Sequence, residues 1–417
     1  MLHGLFIFFL AACFYLYDFV LQVAPSVMAT PIMQAFDVSA RGFGLISAFY
    51  FYAYAPMQLP AGVLYDRYGP RRVMTTAVLI CALGSLFFAL TESVLAASLG
   101  RFMIGFGSAF SFVGVLILIA RWFPERYFAL LAGIAQSMSS VGAIFGEAPL
   151  AALIKLTSWR QASFILSVIG FGLTLLFWLF IRDYPHQQTQ SAPKTKLFYE
   201  WRRLHAVCRH AHTWYTGAYA FTTWTPIAVF AALWGVPFLE AKYQISVIAA
   251  SAMCSMIWVG IGVGSPLLGW LSDYLKSRRM VMVASGSMGL IACLLILYTP
   301  NVSQGWMYGC LLLLGLGASG QIVSFAVVKD NNPPHLVGSA SGFNNMAILI
   351  GGAIFQPIVG FILHHSDEWV MINNAPIYSV NAYQNALLVM PICYLLSVFI
   401  ALFLIKESFK KKEHVIK

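Results

Sequence analysis

Apolar runs of twenty or more residues follow one another along almost the whole chain. A helix of about 20 apolar residues is long enough to cross the roughly 30 Å hydrocarbon core of a bilayer. Of the 417 residues, 60% are hydrophobic and only 10% are charged, whereas a soluble domain carries about 25% charged residues. Intrinsic disorder is excluded as well, because it requires low hydrophobicity. The sequence therefore predicts an all-α membrane protein.

Twelve transmembrane helices are predicted, and one long polar stretch separates the first six from the last six. The helices are expected at about 4–33, 42–65, 72–91, 94–121, 127–154, 160–182, 213–240, 246–270, 280–299, 302–329, 337–365 and 383–405. The polar stretch, 183–212, contains two prolines and six basic residues if Arg182 is counted. We therefore expect a six-helix bundle over 1–182, a linker over 183–212 and a second bundle with a short tail over 213–417.

The positions of the basic residues predict the orientation. Of the 25 Lys and Arg residues, Arg101 lies inside a helix and four lie in loops on one side. The remaining twenty lie on the side that holds both termini and the linker. Since Lys and Arg are retained on the cytoplasmic side, both termini are expected in the cytoplasm. Short loops and termini favour a bacterial inner-membrane protein.

The two halves contain related sequences at a nearly constant spacing. Gly62-x-x-x-Asp66 recurs as Gly269-x-x-x-Asp273, 207 residues later. Further pairs, at offsets of 209 or 210, are Gly105 and Gly315, Pro124 and Pro333, and Gly142 and Gly352. A duplicated six-helix unit explains this spacing. Parallel repeats of this kind occur in secondary transporters, whose substrate site lies between the repeats near the bilayer midplane.

The most specific motif follows the second predicted helix. It comprises Gly62, Asp66, Arg67, Gly69, Arg71 and Arg72. A glycine at its start would allow close helix approach, and a glycine at the turn would allow a tight bend. The carboxylate can pair with a basic residue, while the arginines hold the loop on the inner side. We expect this motif and its copy at Gly269 and Asp273 to control the change of conformation.

This motif closely resembles the loop 2–3 signature of the major facilitator superfamily. The second copy, the twelve helices and the central linker extend the resemblance over essentially the whole chain. The resemblance implies two pseudo-symmetric six-helix bundles that transport a small molecule by alternating access. No metal and no other cofactor is expected, and the protein is expected to act as a monomer in the lipid bilayer.

Arg101 interrupts the fourth predicted helix within Gly100-Arg101-Phe-Met-Ile-Gly105. The segment resembles the arginine-containing helix 4 signature of the superfamily. The resemblance implies that Arg101 faces the central cavity and assists proton transfer. A charge this deep is rare unless it is paired or functional. The alternative is an arginine whose side chain extends to the outer interface.

Asp18 is the second ionisable residue in an apolar helix. Tyr15, Asp18 and Gln22 have i, i+3, i+7 spacing, so they share one face. At about 1.5 Å per residue, Asp18 lies roughly 20 Å into the core. A lone carboxylate at that depth is either protonated or paired. We interpret Asp18 as a proton-coupling or substrate-binding residue, with a structural hydrogen bond as the alternative.

The fifth predicted helix carries Gln136 and Glu147 three turns apart, hence on one face. At an offset of 209 their counterparts are Asn345 and Gln356, although the repeated Gly-Ala-Ile-Phe favours 210. Glu147 is expected at a depth similar to those of Asp18 and Arg101. The three could form one cluster with a spare negative charge, which would suit a proton site. Alternatively, Glu147 reaches outer water.

Two features of the seventh predicted helix suggest a cavity and a hinge. Trp224 and Trp234 are candidates for lining the cavity, as is the aromatic run 49–54. Gly235 and Pro237 lie near the outer end, where proline leaves a backbone carbonyl without its partner. This arrangement suits a gate.

Several other functions have no support in the sequence. There is no GxxxxGK[ST] motif for ATP binding, and no GxSxG, HExxH or paired-cysteine motif, so an enzyme is not expected. The seven cysteines lack metal-ligand spacing. The basic residues lie in loops between apolar helices, which points to membrane topology rather than nucleic-acid binding.

A departure in the fifth helix bears on the direction of transport. Drug–proton antiporters of the superfamily carry Gly-x-x-x-Gly-Pro, whereas here Gly142-x-x-x-Gly146 precedes Glu147. The segments Tyr15-x-Tyr17-Asp18 and Leu233-Trp-Gly-Val-Pro-Phe resemble bacterial uptake permeases, including nutrient transporters of intracellular bacteria. We expect proton-coupled uptake of a small polar metabolite such as an amino acid or organic acid. An exporter of a siderophore or drug, and a transporter-like ligand sensor, are the alternatives.

Overall fold

The computed structural model describes residues 2–184, 205–300, 303–333, 336–366, 368–372 and 375–408. Helices in the first half are Leu2–Val23, Ala29–Phe36, Ala40–Met57, Ala61–Tyr68, Pro70–Leu90, Val94–Ser108, Ser111–Trp122, Phe128–Phe145, Ala148–Leu156 and Trp159–Phe180. Those of the second half are Ala211–Pro226, Gly235–Tyr243, Val247–Tyr274, Arg278–Tyr298, Gln304–Ala318, Gln321–Asn331, Val337–His364, Val380–Ala386 and Val389–Phe399. Short 3₁₀ turns occupy Ala24–Val27 and Glu125–Tyr127, and π-helical segments occupy Ile227–Trp234 and Ile400–Leu404.

The helices form twelve membrane spans, as the sequence predicts. Eleven segments of the described chain are long and apolar enough to cross a membrane. The second span is built differently from the predicted single helix, since it consists of Ala40–Met57 and Ala61–Tyr68 with a turn between them. Pro56 and Pro60 flank that turn, and each lacks the N–H that an uninterrupted helix would need. Residues 185–204 of the predicted linker lie outside the described residues.

The two halves meet along two related contacts. The second span packs on the eleventh, and the fifth packs on the eighth. Within each half, glycines bring spans close together at equivalent positions. A Cβ on Gly105 would clash with the carbonyl of Tyr50, and one on Gly315 would clash with the carbonyl of Ile257. Gly315 lies 210 residues after Gly105, and Ile257 lies 207 residues after Tyr50. The repeat seen in the sequence is therefore also a repeat of helix packing.

The end of the molecule that holds the N-terminus is called the inner end here, and the opposite end the outer end. At the inner end, the ring of His3 lies 5.4 Å from that of Trp122. At the outer end, a hairpin joins the eleventh and twelfth spans. Its strands, β1 (Trp369–Ile372) and β2 (Ala375–Tyr378), are antiparallel. No sequence pattern predicted these two short strands.

The hairpin connects the halves at the outer end. Tyr378 in β2 accepts a hydrogen bond from the backbone N–H of Ala40, at 3.2 Å. Burial raises the pKa of Tyr378, so its phenol stays neutral. Nearby, the rings of Phe43 and Trp234 pack edge to face with centroids 5.4 Å apart. Each of these two contacts joins a residue of the first half to a residue of the second half, and together they close the outer end.

The seventh span changes its helix type where a hinge is predicted. It is α-helical to Pro226, π-helical over Ile227–Trp234 and α-helical again from Gly235. Pro237 cannot donate a backbone hydrogen bond into this region. π-Helical turns are rare and are often found at functional sites. The structure thus shows a local irregularity at this position, and the hinge itself remains a prediction.

Candidate functional site

Asp18 lies at the centre of a group of hydroxyl side chains in the first half. Its exposed fraction is 0%. The Tyr50 hydroxyl donates to Asp18 Oδ1 at 2.7 Å, and the Ser111 hydroxyl lies 2.7 Å from Oδ2. The Tyr54 hydroxyl is 3.4 Å from Oδ2. Three O–H groups, two from the second span and one from the fourth, therefore surround one carboxyl group of the first span.

Arg101 lies on the other side of Tyr50. The guanidinium carbon is 5.0 Å from the centre of the Tyr50 ring, and Nη1 donates to the Leu21 carbonyl at 2.8 Å. Arg101 is 3% exposed, and its Nε has no hydrogen-bond partner within the described chain. Arg101 thus faces the protein interior and does not extend to the interface. Asp18 and Arg101 are linked through Tyr50, and no direct ion pair between them is present among the described residues.

Glu147 forms neither a hydrogen bond nor an ion pair with Asp18 or Arg101 in the described part of the chain. It is 0% exposed, so in this conformation it does not reach outer water. The polar side chains of Trp258 and Ser26 lie beside its carboxyl group. The structure therefore brings Asp18 and Arg101 together but places Glu147 at the contact between the fifth and eighth spans. Similar depth along different helices did not imply proximity, because depth says nothing about the rotation of each helix.

The remaining candidates of the first half lie close to Asp18. The Tyr15 hydroxyl is 3.4 Å from Gln136 Oε1, and Gln136 Nε2 donates to Ser139 at 3.1 Å. Gln22 Oε1 is 3.5 Å from the Tyr50 hydroxyl. The polar face predicted on the first span therefore contacts both the second span and the fifth.

The candidates of the second half make three separate contacts. Asn345 donates from Nδ2 to Gln58 Oε1 at 2.6 Å, which joins the eleventh span to the turn in the second. Gln356 is 1% exposed and donates to the Ala228 carbonyl at 2.8 Å. Trp224 lies with its ring centre 6.5 Å from that of Trp258.

Glycine contacts support the offset of 209 between the fifth and eleventh spans. A Cβ on Gly142 would clash with the Leu16 carbonyl, and one on Gly351 would clash with the side chain of Thr225. Both members of the contact are separated from their counterparts by 209 residues. Gln136 therefore corresponds to Asn345, and Glu147 to Gln356.

A cavity of about 980 Å³ opens between the halves at the inner end. Its walls include Gln58, Gly62 and Asp66 of the second span, Phe112 of the fourth and Asn345 of the eleventh. The Phe112 ring stacks on Tyr15 with centroids 5.0 Å apart. The cavity therefore ends close to the polar face that carries Asp18. With the outer end closed, the conformation is open at the inner end.

The turn of the loop 2–3 motif, at Gly69, has the expected backbone. Gly69 has φ of 79°, and its counterpart Lys276 has φ of 49°, so both copies use the left-handed region. Asp183 accepts from the Arg71 backbone N–H at 2.8 Å, and Glu407 accepts from the Arg278 backbone N–H at 3.0 Å. Each carboxylate therefore caps the helix that follows the turn.

The charged residues of the motif differ in their surroundings. Arg71 Nη2 donates to the Trp178 carbonyl at 2.7 Å, and Arg67 lies over the Tyr68 ring. Arg72 is exposed. In the second copy, Asp273 pairs with Arg278 at 2.8 Å. Asp66 is exposed at the wall of the cavity.

One expectation about the motif is wrong for this conformation. Apart from the adjacent residues and the backbone of its own helix, no atom of the described chain lies within 4 Å of a Cβ built on Gly62 or Gly269. Gly62 faces the open cavity, so these glycines do not provide close helix packing here.

Sequence reasoning did not single out four residues of the site. Tyr50 and Tyr54 lie within the aromatic run 49–54, and their i, i+4 spacing could have shown a shared face. Ser111 and Gln58 gave no comparable signal. No group of three or more His, Cys, Asp or Glu side chains suited to a metal occurs in the described chain.

Comparisons with known proteins agree with the fold and the motifs. The sequence profile of the Major Facilitator Superfamily matches residues 7–356 and again 230–414. The hexuronate transporter of Bacillus subtilis (strain 168) is 26% identical, over 83% of this chain and 85% of that protein. The probable galactarate/D-glucarate transporter of Escherichia coli (strain K12) is 24% identical, over 89% of each.

Solved structures show the same fold. A bacterial homologue to the human lysosomal transporter Spinster, in an inward-facing and unoccupied conformation, has a TM-score of 0.74 at 16% identity, over 96% of both chains. The nucleoside transporter NupG also has a TM-score of 0.74, at 14% identity, over 96% of this chain and 100% of that one. The fold and the relatives are those of transporters and not of enzymes. The chain belongs to the major facilitator superfamily of membrane transporters.

Proposed function

We propose that this transporter takes up a small organic acid together with protons, by alternating access across a bacterial inner membrane. The observation that carries the proposal is the buried arrangement of Asp18, Tyr50 and Arg101. It combines a carboxyl group that can bind a proton with a guanidinium that lacks a carboxylate partner. The first and last spans would both have their free ends in the cytoplasm, and 183–212 would join the two bundles.

Arg101 supports an anionic substrate. A buried guanidinium is costly unless it is paired, and Nε of Arg101 has no partner in the described chain. A substrate carboxylate could accept hydrogen bonds from it in the geometry that arginine favours. The names of the hexuronate and probable galactarate/D-glucarate transporters also denote acids. An amino acid is the second candidate, because its ammonium could meet Asp18 while its carboxylate meets Arg101.

Asp18 is proposed as the coupling residue. Burial disfavours an ionised carboxylate, whereas hydrogen bonds from Tyr50, Tyr54 and Ser111 favour it. Small changes in hydration can therefore decide whether the group holds a proton. Alternating exposure of the site to the two sides of the membrane would supply such changes.

Uptake into proteoliposomes under an imposed pH gradient tests the proposal. Wild-type protein should accumulate a sugar acid such as glucuronate, and a protonophore should abolish the accumulation. Asp18→Asn should lose accumulation but retain exchange, because exchange need not release the proton. Asp37→Asn is the matched control, since Asp37 is exposed and has φ of 50°, a conformation that Asn tolerates.

The outcomes separate the alternatives. Accumulation by Asp18→Asn equal to that of wild type would show that the coupling site lies elsewhere. Binding without any translocation would indicate a sensor. Vesicles that hold the transporter in its cellular orientation can be preloaded with solute and then placed in an acidic solution. Loss of solute driven by this external acidification would indicate export.

A further inference from the structure

Three buried polar groups meet where the halves touch near the outer end. Glu147 lies between the helices Phe128–Phe145 and Ala148–Leu156 of the fifth span, Trp258 lies on the eighth span, and Ser26 lies in the 3₁₀ turn of the first. Their exposed fractions are 0%, 1% and 1%. Both Glu147 oxygens, the Trp258 Nε1 and the Ser26 hydroxyl lack hydrogen bonds of good geometry within the described chain, although Trp258 and Ser26 lie beside the carboxyl group of Glu147.

Cationic side chains on the spans around Glu147 are exposed or bonded elsewhere; on the seventh span, Lys242 donates to the carbonyls of Ile296 and Thr299. The first span has one charged residue, Asp18, which is held by Tyr50 and Ser111. In the sixth span, Arg160 donates to the carbonyls of Ala89 and Thr91. Lys155 is exposed at the end of the fifth span itself.

The fourth, seventh and eighth spans complete these surroundings. Arg101 is bonded to Leu21, as described above, and Arg121 lies at the inner end of the fourth span. The eighth span presents Cys254, which lies within electrostatic range of both Glu147 and Glu240 of the seventh span. An ionised carboxylate enclosed without a cation or hydrogen bonds would cost several kcal/mol. The neutral acid fits this site far better.

The repeat provides an independent comparison. Gln356 is the counterpart of Glu147 at the offset of 209, and it occupies the related contact between the second and eleventh spans. A Cβ on Gly44 of the second span would lie 2.7 Å from the Gln356 carbonyl. An amide is close in size and shape to a protonated carboxyl group. One of the two related contacts thus holds a permanently neutral side chain where the other holds a glutamate.

We propose that Glu147 is a second proton-binding site, separate from Asp18, that holds its proton while the outer ends of the halves are closed and releases it when they separate. Closure would bring the carboxyl group against Trp258 and Ser26, and separation would expose it to water, which stabilises the ionised form. Because Glu147 lies between the halves, its proton would favour the closed outer end directly. This inference rests on the proposed function, since it assumes that the halves separate during transport.

Infrared spectroscopy tests the protonation state without any substrate. Purified protein in nanodiscs at neutral pH should show the C=O stretch of a protonated carboxyl group that Glu147→Gln removes. The exposed Glu92 provides the control, and Glu92→Gln should leave that band unchanged. If the band persists in Glu147→Gln at wild-type intensity, Glu147 is ionised and the proposal is wrong.

Distances between spin labels test the effect on conformation. Labels at Lys155→Cys and Gln304→Cys would report the outer ends of the fifth and tenth spans, in a background with Cys13→Ser and Cys208→Ser. Without substrate, the distance in the otherwise wild-type protein should lengthen as pH rises. With Glu147→Gln added, it should remain short at every pH. The same pH response in both proteins would overturn the proposal.

A further variant guards against misfolding of Glu147→Gln. Trp258→Phe keeps the carboxyl group but replaces the polar indole beside it, so the C=O band of Glu147 should remain and its frequency should change. An unmoved band would show that Trp258 does not contact the acid and would contradict the proposal. Neither measurement requires transport. A protein that passes both but accumulates no acid in a pH gradient would contradict the proposed function instead.

Discussion

Tyr50 joins two of the buried ionisable residues of the first bundle: its hydroxyl donates to Asp18 at 2.7 Å, and its ring faces the guanidinium of Arg101 at 5.0 Å. A single side chain on the second span therefore contacts residues of the first and fourth. The second span also packs along the eleventh. Movement of one half against the other can thus reach Asp18 through Tyr50.

Tyr50→Phe is expected to weaken coupled accumulation roughly fivefold, since a hydrogen bond of this kind contributes about 1 kcal/mol. The ionised form of Asp18 would lose one of its donors, so release of the proton would become harder. Exchange of solute across the membrane should be affected less. Comparison of accumulation and exchange in the same vesicles provides the measurement.

Tyr52→Phe provides the control for Tyr50→Phe. Tyr52 lies in the same helix, but its side chain is 38% exposed. It should behave as wild type. A similar loss in both variants would mean that the second span is sensitive to any change, and the link between Tyr50 and Asp18 would lose its support.

The sequence predicted the spans and the anomalous residues better than their contacts. Long apolar runs determine where helices cross, and the unusual position of Asp18 in such a run was visible directly. Its partners Tyr50, Tyr54 and Ser111 were not, because contacts between spans depend on helix rotation and tilt. Glu147 is a second example. Its depth in the membrane was expected to match that of Asp18, but depth does not determine which side of the helix bundle a side chain faces.

Local breaks in helices were also only partly predictable. Pro56 and Pro60 explain the turn in the second span, yet Pro266 and Pro357 lie inside unbroken helices. Proline in a membrane span is tolerated where neighbours satisfy the freed backbone groups. Packing against neighbouring helices therefore determines which proline interrupts a helix, and this packing cannot be predicted from the local sequence.

Arg101→Lys is expected to raise the KM for an acidic substrate while leaving the positive charge in place. Lysine offers a compact charge and cannot reproduce the paired N–H geometry of a guanidinium. Loss of a charged hydrogen bond costs about 1.5–3 kcal/mol, which corresponds to a KM increase of roughly tenfold to a hundredfold. Initial rates of uptake over a range of substrate concentrations provide the measurement.

Arg126→Lys is the control for Arg101→Lys, because Arg126 is exposed at the inner end. It should retain the wild-type KM. If Arg101→Lys also retained it, Arg101 would not bind the substrate, and its burial would have to reflect packing on Tyr50 alone.

Asp183→Asn and Glu407→Gln are expected to lower thermal stability by similar amounts. Each carboxylate accepts a backbone N–H at the start of a helix, where it also interacts favourably with the helix dipole. The cost should be about 1–2 kcal/mol for each change, seen as a lower midpoint of thermal unfolding. An unchanged midpoint for either variant would show that its cap is not stabilising.

Labelling of intact cells tests the predicted orientation. Cysteines placed at Lys410 or in the 183–212 segment should react with a membrane-impermeant maleimide only after the cells are opened. A cysteine at Lys155, at the opposite end of the molecule, should react in intact cells. Labelling of the tail from outside would reverse the orientation, and the inner-end cavity would then face away from the cytoplasm.

Asp66→Asn is expected to reduce transport while leaving substrate binding largely intact. Asp66 lies at the wall of the cavity, which is open in this conformation, and we expect it to hold the inner ends together when that cavity closes. Its loss should therefore shift the population between the two conformations and not remove a substrate contact. Calorimetry should show nearly wild-type binding by this variant, whereas uptake into vesicles should be reduced.

The second copy of the motif provides a comparison, because Asp273 pairs with Arg278 in the open conformation. Asp273→Asn should therefore have a smaller effect on the conformational equilibrium. If Asp66→Asn abolished binding and left the conformational equilibrium unchanged, Asp66 would be a binding residue and not part of the gate.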